Sequence, residues 1–324
     1  MAAKNESKIL GIERESWRQF FGKYGVSVVM FIMIIAIGIY RPTFLKPANL
    51  INVTTQITVN GMLAFGMCLA ITTGGIDLTV GAQLALVAVT VAKLCAAGVP
   101  YLLAALVAVA LTTFFGFVNG FFIAKFNMFP FVVTLSMQLV IRGVAQVISG
   151  GEGISASAAK VIYYNKVLGI PVPIIILVIV FICMYLMFHW TKLGRYILAV
   201  GGNVNAAVAS GISEFKIKVV TYMISGFLAG ISGLILVGKT GVGKSNAGEG
   251  YETDAVAAAV IGGTSFAGGV ATMPGVLIGI FIVGFIYNGI NLIGVDSNWQ
   301  SIIRGAVIIL TVMIDKAING RNRA

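Results

Sequence analysis

Charged residues are scarce in this sequence and make up only 10% of its 324 positions. A soluble domain is typically about 25% charged, whereas 58% of this chain is hydrophobic. So few charges cannot give an apolar chain a water-compatible surface, and a soluble globular protein is therefore excluded. Ten membrane crossings would use roughly 200 residues at the length that a bilayer core demands, which leaves little chain for a soluble domain.

Histidine and cysteine are too few to build a metal site or a disulfide framework. His189 is the single histidine, and it lies beside Trp190 at the end of an apolar run. With no second histidine and no cysteine nearby, we expect no metal site and interpret His189 as an interfacial anchor. The three cysteines are odd in number and lie in separate apolar runs, which argues against disulfides: Cys68, Cys95 and Cys183.

Basic residues exceed acidic ones, and the net charge is +11. In membrane proteins Lys and Arg collect in cytoplasmic loops that face anionic lipid headgroups. Membrane lipids therefore explain the charge better than nucleic acid, which we exclude as a partner. Residues 1–23 are polar, carry five basic side chains and lead into an apolar run without an A-x-A cleavage site. This pattern predicts a cytoplasmic tail rather than a cleaved signal peptide.

Ten apolar runs are predicted to cross the membrane as helices. They lie at 25–40, 56–73, 78–97, 101–124, 130–148, 171–189, 217–237, 255–271, 273–293 and 301–315. Ten alternating crossings that start inside place the three basic segments in the cytoplasm. They place the loop at 149–170 and the acids Glu249, Glu252 and Asp254 outside.

The predicted fold class is therefore an all-α integral membrane protein with about ten transmembrane helices and both termini in the cytoplasm. Residues 1–23 form the N-terminal tail, 24–316 a single transmembrane domain, and 317–324 the C-terminal tail. Within that domain, the basic segment 190–216 is a cytoplasmic loop.

The two halves of the chain share a short pattern. Gly116 to Gly120 precedes Arg142, and Gly284 to Gly289 precedes Arg304. Two explanations remain open. One is an inverted internal repeat, as in transporters whose substrate path lies at the repeat interface; the other is chance, because short glycine-rich matches are common in membrane sequences.

Residues Gly238 to Ser245 satisfy the G-x-x-x-x-G-K-[ST] pattern of a phosphate-binding loop. Such a loop binds phosphate only where a strand leads into it and a helix begins at its end. Here a membrane-length apolar run precedes the motif, and Gly248 and Gly250 follow where a helix should continue. We interpret the match as a coincidence and expect no nucleotide site in this chain.

The 190–216 loop is predicted to contain a short helix outside the membrane. Asn203 suits the N-cap, residues 204–210 are rich in alanine, and Gly211 suits the left-handed position after a helix. A helix this short is unstable alone in water, so it must pack against something. The small residues favour insertion into a cleft of a partner protein; packing against headgroups is the alternative. The face in question comprises Ala206, Ala207, Ala209 and Ser210.

The stretch Gly194 to Ile212 resembles the cytoplasmic coupling loop of ABC importer permeases of the ribose and related monosaccharide family. Further resemblances to that family occur in the same order along residues 42–316. They are Gly74 to Gly81, Gly250 to Ala255, Ile261 to Gly269, Asn288 with Gly289, and Gly294, Val295 and Gln300.

This resemblance implies a permease subunit that is not itself an enzyme and binds no cofactor. It implies a second copy of the permease, ABC ATPase subunits that bind ATP and Mg²⁺, and a periplasmic or lipid-anchored sugar-binding protein. It also implies the bacterial inner membrane, with ribose as the first candidate sugar. By resemblance, the ATPase-coupling residues are Gly194, Arg195, Gly201, Gly202, Asn203, Ala206, Ala207, Ser210 and Gly211.

The translocation pathway is expected to involve polar residues inside the crossings. Asp77 lies immediately before the predicted crossing 78–97, and acids at membrane depth are costly enough to suggest function. Capping of the next helix is the alternative. The other expected pathway residues could equally form helix–helix hydrogen bonds: Thr79, Asn119, Asn288 and Gln300. An ion-coupled secondary transporter with inverted repeats is the alternative function, although no buried Glu or His is predicted to bind its ion.

Overall fold

The computed structural model describes residues 27, 28 and 30–294 and, beyond these, only positions 299, 302, 305, 306, 309 and 313. Its helices are α1 Met30–Tyr40, α2 Pro47–Thr72, α3 Thr79–Ala96, α4 Tyr101–Lys125, α5 Pro130–Ser149, α6 Lys160–Tyr164, α7 Val172–Trp190, α8 Lys192–Gly202, α9 Val204–Ala209, α10 Glu214–Thr240, α11 Tyr251–Ile261 and α12 Met273–Ile293. Four two-residue strands accompany them: β1 Ile154–Ser155, β2 Lys166–Val167, β3 Ile170–Pro171 and β4 Val242–Gly243.

Within the described part of the chain, seven helices are long and apolar enough to cross a membrane. They are α2, α3, α4, α5, α7, α10 and α12. The expectation of an all-α membrane protein is confirmed, and all three cysteines are free thiols. The tails 1–23 and 317–324 lie outside the described residues, as does most of the predicted crossing 301–315.

Helices α2, α3 and α10 form the centre of the bundle. In their most apolar stretches 83%, 78% and 72% of the residues are buried, against 28% in α4 and 22% in α5 and α7. The outer helices instead expose large apolar side chains such as Phe114 and Leu139. In a bilayer such residues suit contact with lipid tails, so the polar groups of the central helices are the ones shielded from lipid.

Helices α4 and α10 run antiparallel and pack closely through glycine. A β-carbon at Gly120 would lie 2.7 Å from the Cα of Val219, and one at Gly230 would lie 2.6 Å from the Oγ1 of Thr112. Small residues allow two helix backbones to approach in this way. We call the end of the bundle that carries residues 190–216 the loop end, and the opposite end, where the short strands lie, the strand end.

The predicted eighth crossing, a continuous helix over 255–271, is wrong. Helix α11 starts earlier, at Tyr251, and stops at Ile261. The chain leaves the helix because Gly263 has φ +90°, and because Gly262 packs so closely on α12 that a β-carbon there would lie 2.5 Å from the Cα of Val276. Residues 262–272 are therefore a glycine-rich, partly buried loop, in which Val270 is 48% exposed.

The segment 241–250 reaches α11 by descending along α3 from the strand end. A β-carbon at Gly243 would lie 2.7 Å from the Cβ of Ala92, and one at Gly248 would lie 2.7 Å from the Cδ1 of Leu84. A comparable non-helical stretch, 73–78, separates α2 from α3. Each of the helices α3 and α11 thus begins inside the bundle, after an irregular segment.

Candidate functional site

The 190–216 loop is helical over most of its length. Thr191 caps α8 by accepting a hydrogen bond from the Gly194 amide at 3.4 Å, and Ile197 and Val200 bury one face of that helix. A β-carbon at Gly194 would overlap the carbonyl group of Phe188. Glycine at this position therefore allows α8 to fold back tightly on the end of α7, while Arg195 is exposed.

The predicted short helix in this loop is confirmed as α9. The Oδ1 of Asn203 accepts a hydrogen bond from the Ala206 amide at 3.0 Å, which caps the first turn. At the other end Gly211 has φ +81°, and the Ile212 amide donates to the carbonyl of Ala207 at 3.0 Å. Local cap residues thus fix both ends of the helix.

The surface that α9 presents differs from the predicted one at Ala207. Ala207 is 4% exposed and belongs to the hydrophobic core, whereas Val208 is 52% exposed. Gly194 is likewise buried. The exposed surface, which we call the α9 face, comprises Asn205, Ala206, Val208, Ala209 and Ser210.

A fully buried polar cluster surrounds Asp77, at the junction of α3, α4 and α10. The Oδ1 of Asp77 accepts hydrogen bonds from the amide and the hydroxyl of Thr79, and its Oδ2 accepts one from the hydroxyl of Ser225 at 2.7 Å. The side-chain amides of Gln83 and Asn119 donate to the Oγ1 of Thr79 at 2.9 and 3.0 Å. The structure thus brings three expected pathway residues together, but as a cap and helix–helix contact with 0% exposure.

The other expected pathway residues lie elsewhere. Asn288 and Asn49 exchange two side-chain hydrogen bonds of 3.0 and 3.2 Å, which join α12 to the start of α2. This arrangement matches the helix–helix alternative for Asn288. Gln300 lies outside the described residues.

Two further polar groups inside the bundle were not predicted from the sequence. Asp254 was expected in an outer loop, but it is 2% exposed in α11 and accepts hydrogen bonds from Tyr287 at 2.6 Å and Asn60 at 3.4 Å. The Nη1 of Arg142 donates to the carbonyls of Ser245 and Ala247 at 3.0 and 2.9 Å. Arg142 thereby attaches α5 to the descending segment 241–250.

The phosphate-loop pattern has a different geometry from a nucleotide-binding loop. Gly238 to Thr240 form the last turn of α10, and Gly241, with φ +66°, ends it. Strand β4 then pairs antiparallel with β1, and no helix begins until Tyr251. The motif therefore follows a helix and leads into turns, whereas phosphate binding requires the reverse order.

Sequence comparison places the chain among known proteins. Residues 49–312 match the family described as branched-chain amino acid transport system / permease component. No solved structure gives a significant match.

Several similar curated proteins are sugar permeases, and the aligned regions cover nearly all of each of them. The ribose import permease protein RbsC of Bacillus subtilis is 40% identical over 298 residues, which are 91% of this chain and 92% of that protein. The protein of the same name from Escherichia coli K12 is 41% identical over 294 residues, 89% and 92% of the two chains. The D-allose transport system permease protein AlsC of Escherichia coli K12 is 37% identical over 305 residues, 93% of each. The chain is therefore a multi-pass membrane protein that belongs to this family of transport permeases.

Proposed function

We propose that this chain is the permease subunit of an ABC importer that brings a monosaccharide, with ribose as the first candidate, across the bacterial inner membrane. The observation that carries the proposal is the 40% and 41% identity to two ribose permeases over about nine tenths of both chains. The α9 face adds structural support, because it is the exposed side of a capped helix and consists mostly of small residues.

The proposed topology has ten crossings, with the loop end in the cytoplasm. The eighth crossing is formed by the segment 241–250 together with α11, in place of a continuous helix over 255–271. The basic residues of the 190–216 loop support this orientation, since cytoplasmic loops are enriched in Lys and Arg. They are Lys192, Arg195 and Lys216. The strand end would then face outward, and the segments 149–170 and 238–250, which end before the buried helix α11, would contact a periplasmic or lipid-anchored sugar-binding protein.

An inverted repeat is part of the proposal. In each half a long helix, α2 or α10, leads into an irregular segment with a positive-φ glycine and then into α3 or α11. The first irregular segment lies towards the loop end and the second descends from the strand end. The next helix, α4 or α12, carries the pattern that ends in Asn-Gly. The same order with opposite direction is what an inverted repeat requires.

The proposed partners supply the energy. ATP and Mg²⁺ would bind to ABC ATPase subunits in the cytoplasm, and a second copy of this chain would complete the pore. The α9 face would lie in a groove of the ATPase, so that closure of the two ATPases moves the permease between two states. The residues assigned to this contact are Gly202, Asn203, Ala206, Val208, Ser210 and Gly211.

The ion-coupled alternative is less well supported. It needs a buried group free to bind an ion, and Asp77 is the group that sequence analysis offered. Both carboxylate oxygens of Asp77 already accept hydrogen bonds from Thr79 and Ser225. Because these hydrogen bonds occupy both carboxylate oxygens, they favour a structural role for Asp77 over a role as an ion site.

A charge on the α9 face is expected to prevent ATPase binding. In a Val208→Glu variant a carboxylate would be buried in the proposed contact without a partner, which is strongly unfavourable. We expect affinity purification of the tagged variant to recover at least about tenfold less ATPase than the unmodified protein, because each 1.4 kcal/mol changes affinity tenfold.

The matched control is Leu168→Glu, which puts the same side chain on a 98% exposed leucine at the strand end. This variant should retain the ATPase. Equal recovery from both variants would contradict docking at the α9 face.

A further inference from the structure

Three stretches of backbone meet at the loop end with no side chain between them. Gly201 lies in the last turn of α8, Thr72 is the last residue of α2, and Gly269 lies in the loop between α11 and α12. The Gly269 amide donates to the Thr72 carbonyl at 2.9 Å. A β-carbon at Gly201 would overlap that same carbonyl oxygen and would lie 2.7 Å from the nitrogen of Gly269.

The contact is equally close when viewed from the third stretch. Gly268 and Gly269 have φ values of +77° and +73°, which favour glycine over any other residue. A β-carbon at Gly268 would lie 2.6 Å from the Gly201 carbonyl oxygen, and one at Gly269 would lie 2.6 Å from the Cα of Gly202. A single methyl group added at Gly201, Gly268 or Gly269 would therefore force the stretches apart.

Each stretch leads to a different part of the permease. Gly201 is close in sequence to the α9 face. Thr72 leads through 73–78 to Asp77, whose carboxylate is bound by Ser225 of α10. The third stretch connects the ends of α11 and α12, and its Thr264 hydroxyl donates to the Sγ of Cys68 in α2 at 3.4 Å. The 190–216 loop thus contacts two irregular segments at this point: the one between α2 and α3, and the one between α11 and α12.

Contact between backbones differs physically from contact between side chains. Side chains can change rotamer and absorb a small displacement, whereas a close-packed backbone contact has no such freedom and passes the displacement on. Small shifts at one site become large changes when they are passed to elements with two discrete arrangements.

We propose that Gly201, Thr72 and Gly268–Gly269 form a rigid backbone contact, which we call the joint. The joint transmits movement of the α9 face to the end of α2, the end of α11 and the start of α12. Gly201 and Gly269 are then positioning residues for transport, while the neighbouring Gly202 faces outward. This inference rests on the proposed function, because the movement comes from ATPases bound to the loop.

The test compares Gly201→Ala with Gly143→Ala in the complete importer, reconstituted in vesicles with its ATPase and binding protein. Gly143 lies in α5, away from the loop end, and a β-carbon there meets no atom within 4 Å. We expect both variants to retain the ATPase. Sugar uptake per ATP hydrolysed should fall about tenfold in Gly201→Ala, within the usual range of coupling between sites, and stay unchanged in Gly143→Ala. Equal uptake per ATP in the two variants would refute the joint.

Other outcomes are also decisive. If the unmodified protein recovers no ATPase, the proposed function fails, and the joint loses its role with it. If Gly201→Ala does not assemble, hydrogen exchange on the unmodified complex decides. The peptide that contains Gly269 should stay protected both without nucleotide and after trapping with ATP and vanadate. Loss of that protection on trapping would show that the joint opens, contrary to the proposal.

Discussion

An Asp77→Ala variant should be less stable than the unmodified protein by at least about 3 kcal/mol, since a buried donor left without an acceptor costs about 1–3 kcal/mol. Three donors lose their acceptor in this variant. They are the amide and hydroxyl of Thr79 and the hydroxyl of Ser225. Water cannot replace the carboxylate easily, because Asp77, Thr79 and Asn119 are completely buried.

The effect should extend to three helices. Asp77 caps α3 and holds it to α10, and Thr79 in turn accepts the hydrogen bond from Asn119 of α4. Thermal unfolding of the purified permease in detergent measures the loss. Glu152→Ala is the control, because Glu152 is an exposed acid at the strand end. A melting temperature for Asp77→Ala equal to that of the control would show that the network contributes nothing.

The same variant separates the two roles considered for Asp77. If Asp77 acts only as a cap, the fraction of Asp77→Ala that folds should transport normally per folded molecule. If it contacts the sugar or an ion, the folded fraction should be inactive. The three hydrogen bonds on its carboxylate lead us to expect normal transport per folded molecule.

An Arg142→Met variant should release the descending segment 241–250. Methionine keeps much of the length and apolar stem of arginine but removes the two hydrogen bonds to Ser245 and Ala247. A hydrogen bond from a charged donor contributes about 1.5–3 kcal/mol, so local opening should become at least about tenfold more frequent.

Proteolysis reports this opening directly. Lys244 is exposed next to the anchored residues, and cleavage by trypsin follows the population of the open form when opening is fast. Cleavage after Lys244 should therefore be about tenfold faster in Arg142→Met, and sugar uptake should fall, because the segment belongs to the proposed binding-protein contact. Arg195→Met is the control, since Arg195 is exposed at the opposite end. Identical cleavage rates in the two variants would exclude an anchoring role for Arg142.

The sequence predicts the structure best where local chemistry decides it. The predicted crossing 273–293 coincides with α12, and 130–148 ends one residue before α5 does. Long apolar runs bounded by turn residues set these helices without help from distant contacts. The ends of α9 were also predictable, because Asn203 and Gly211 act within a few residues of themselves.

The remaining features depend on contacts between residues far apart in the sequence. Ser225, which binds Asp77, lies 148 residues away from it, and nothing in its local sequence marks it. The loop 262–272 packs closely on α12 at Gly262 and on the end of α2 at Gly268, and these contacts between distant segments do not show in its hydropathy. The sequence predicts that Asp254 is a surface acid, because its hydrogen-bond donor Tyr287 lies 33 residues further along the chain.

The orientation of Ala207 illustrates the limit for the candidate site. The sequence predicts a short helix with small residues around it, but not which of them turns inward. Packing against the core buries Ala207 and exposes Val208. A single pattern on a short helix is compatible with several rotations, and tertiary contacts choose among them.

In the proposed function, this chain moves a monosaccharide with energy from partner ATPases. Uptake of labelled ribose into vesicles that contain the permease, with the ATPase and the sugar-binding protein added or withheld, tests this proposal. We expect uptake only when ATP, the ATPase and the binding protein are all present, and no effect of ionophores that collapse proton or sodium gradients. Uptake by the permease alone that is driven by such a gradient would contradict the account and establish the ion-coupled alternative.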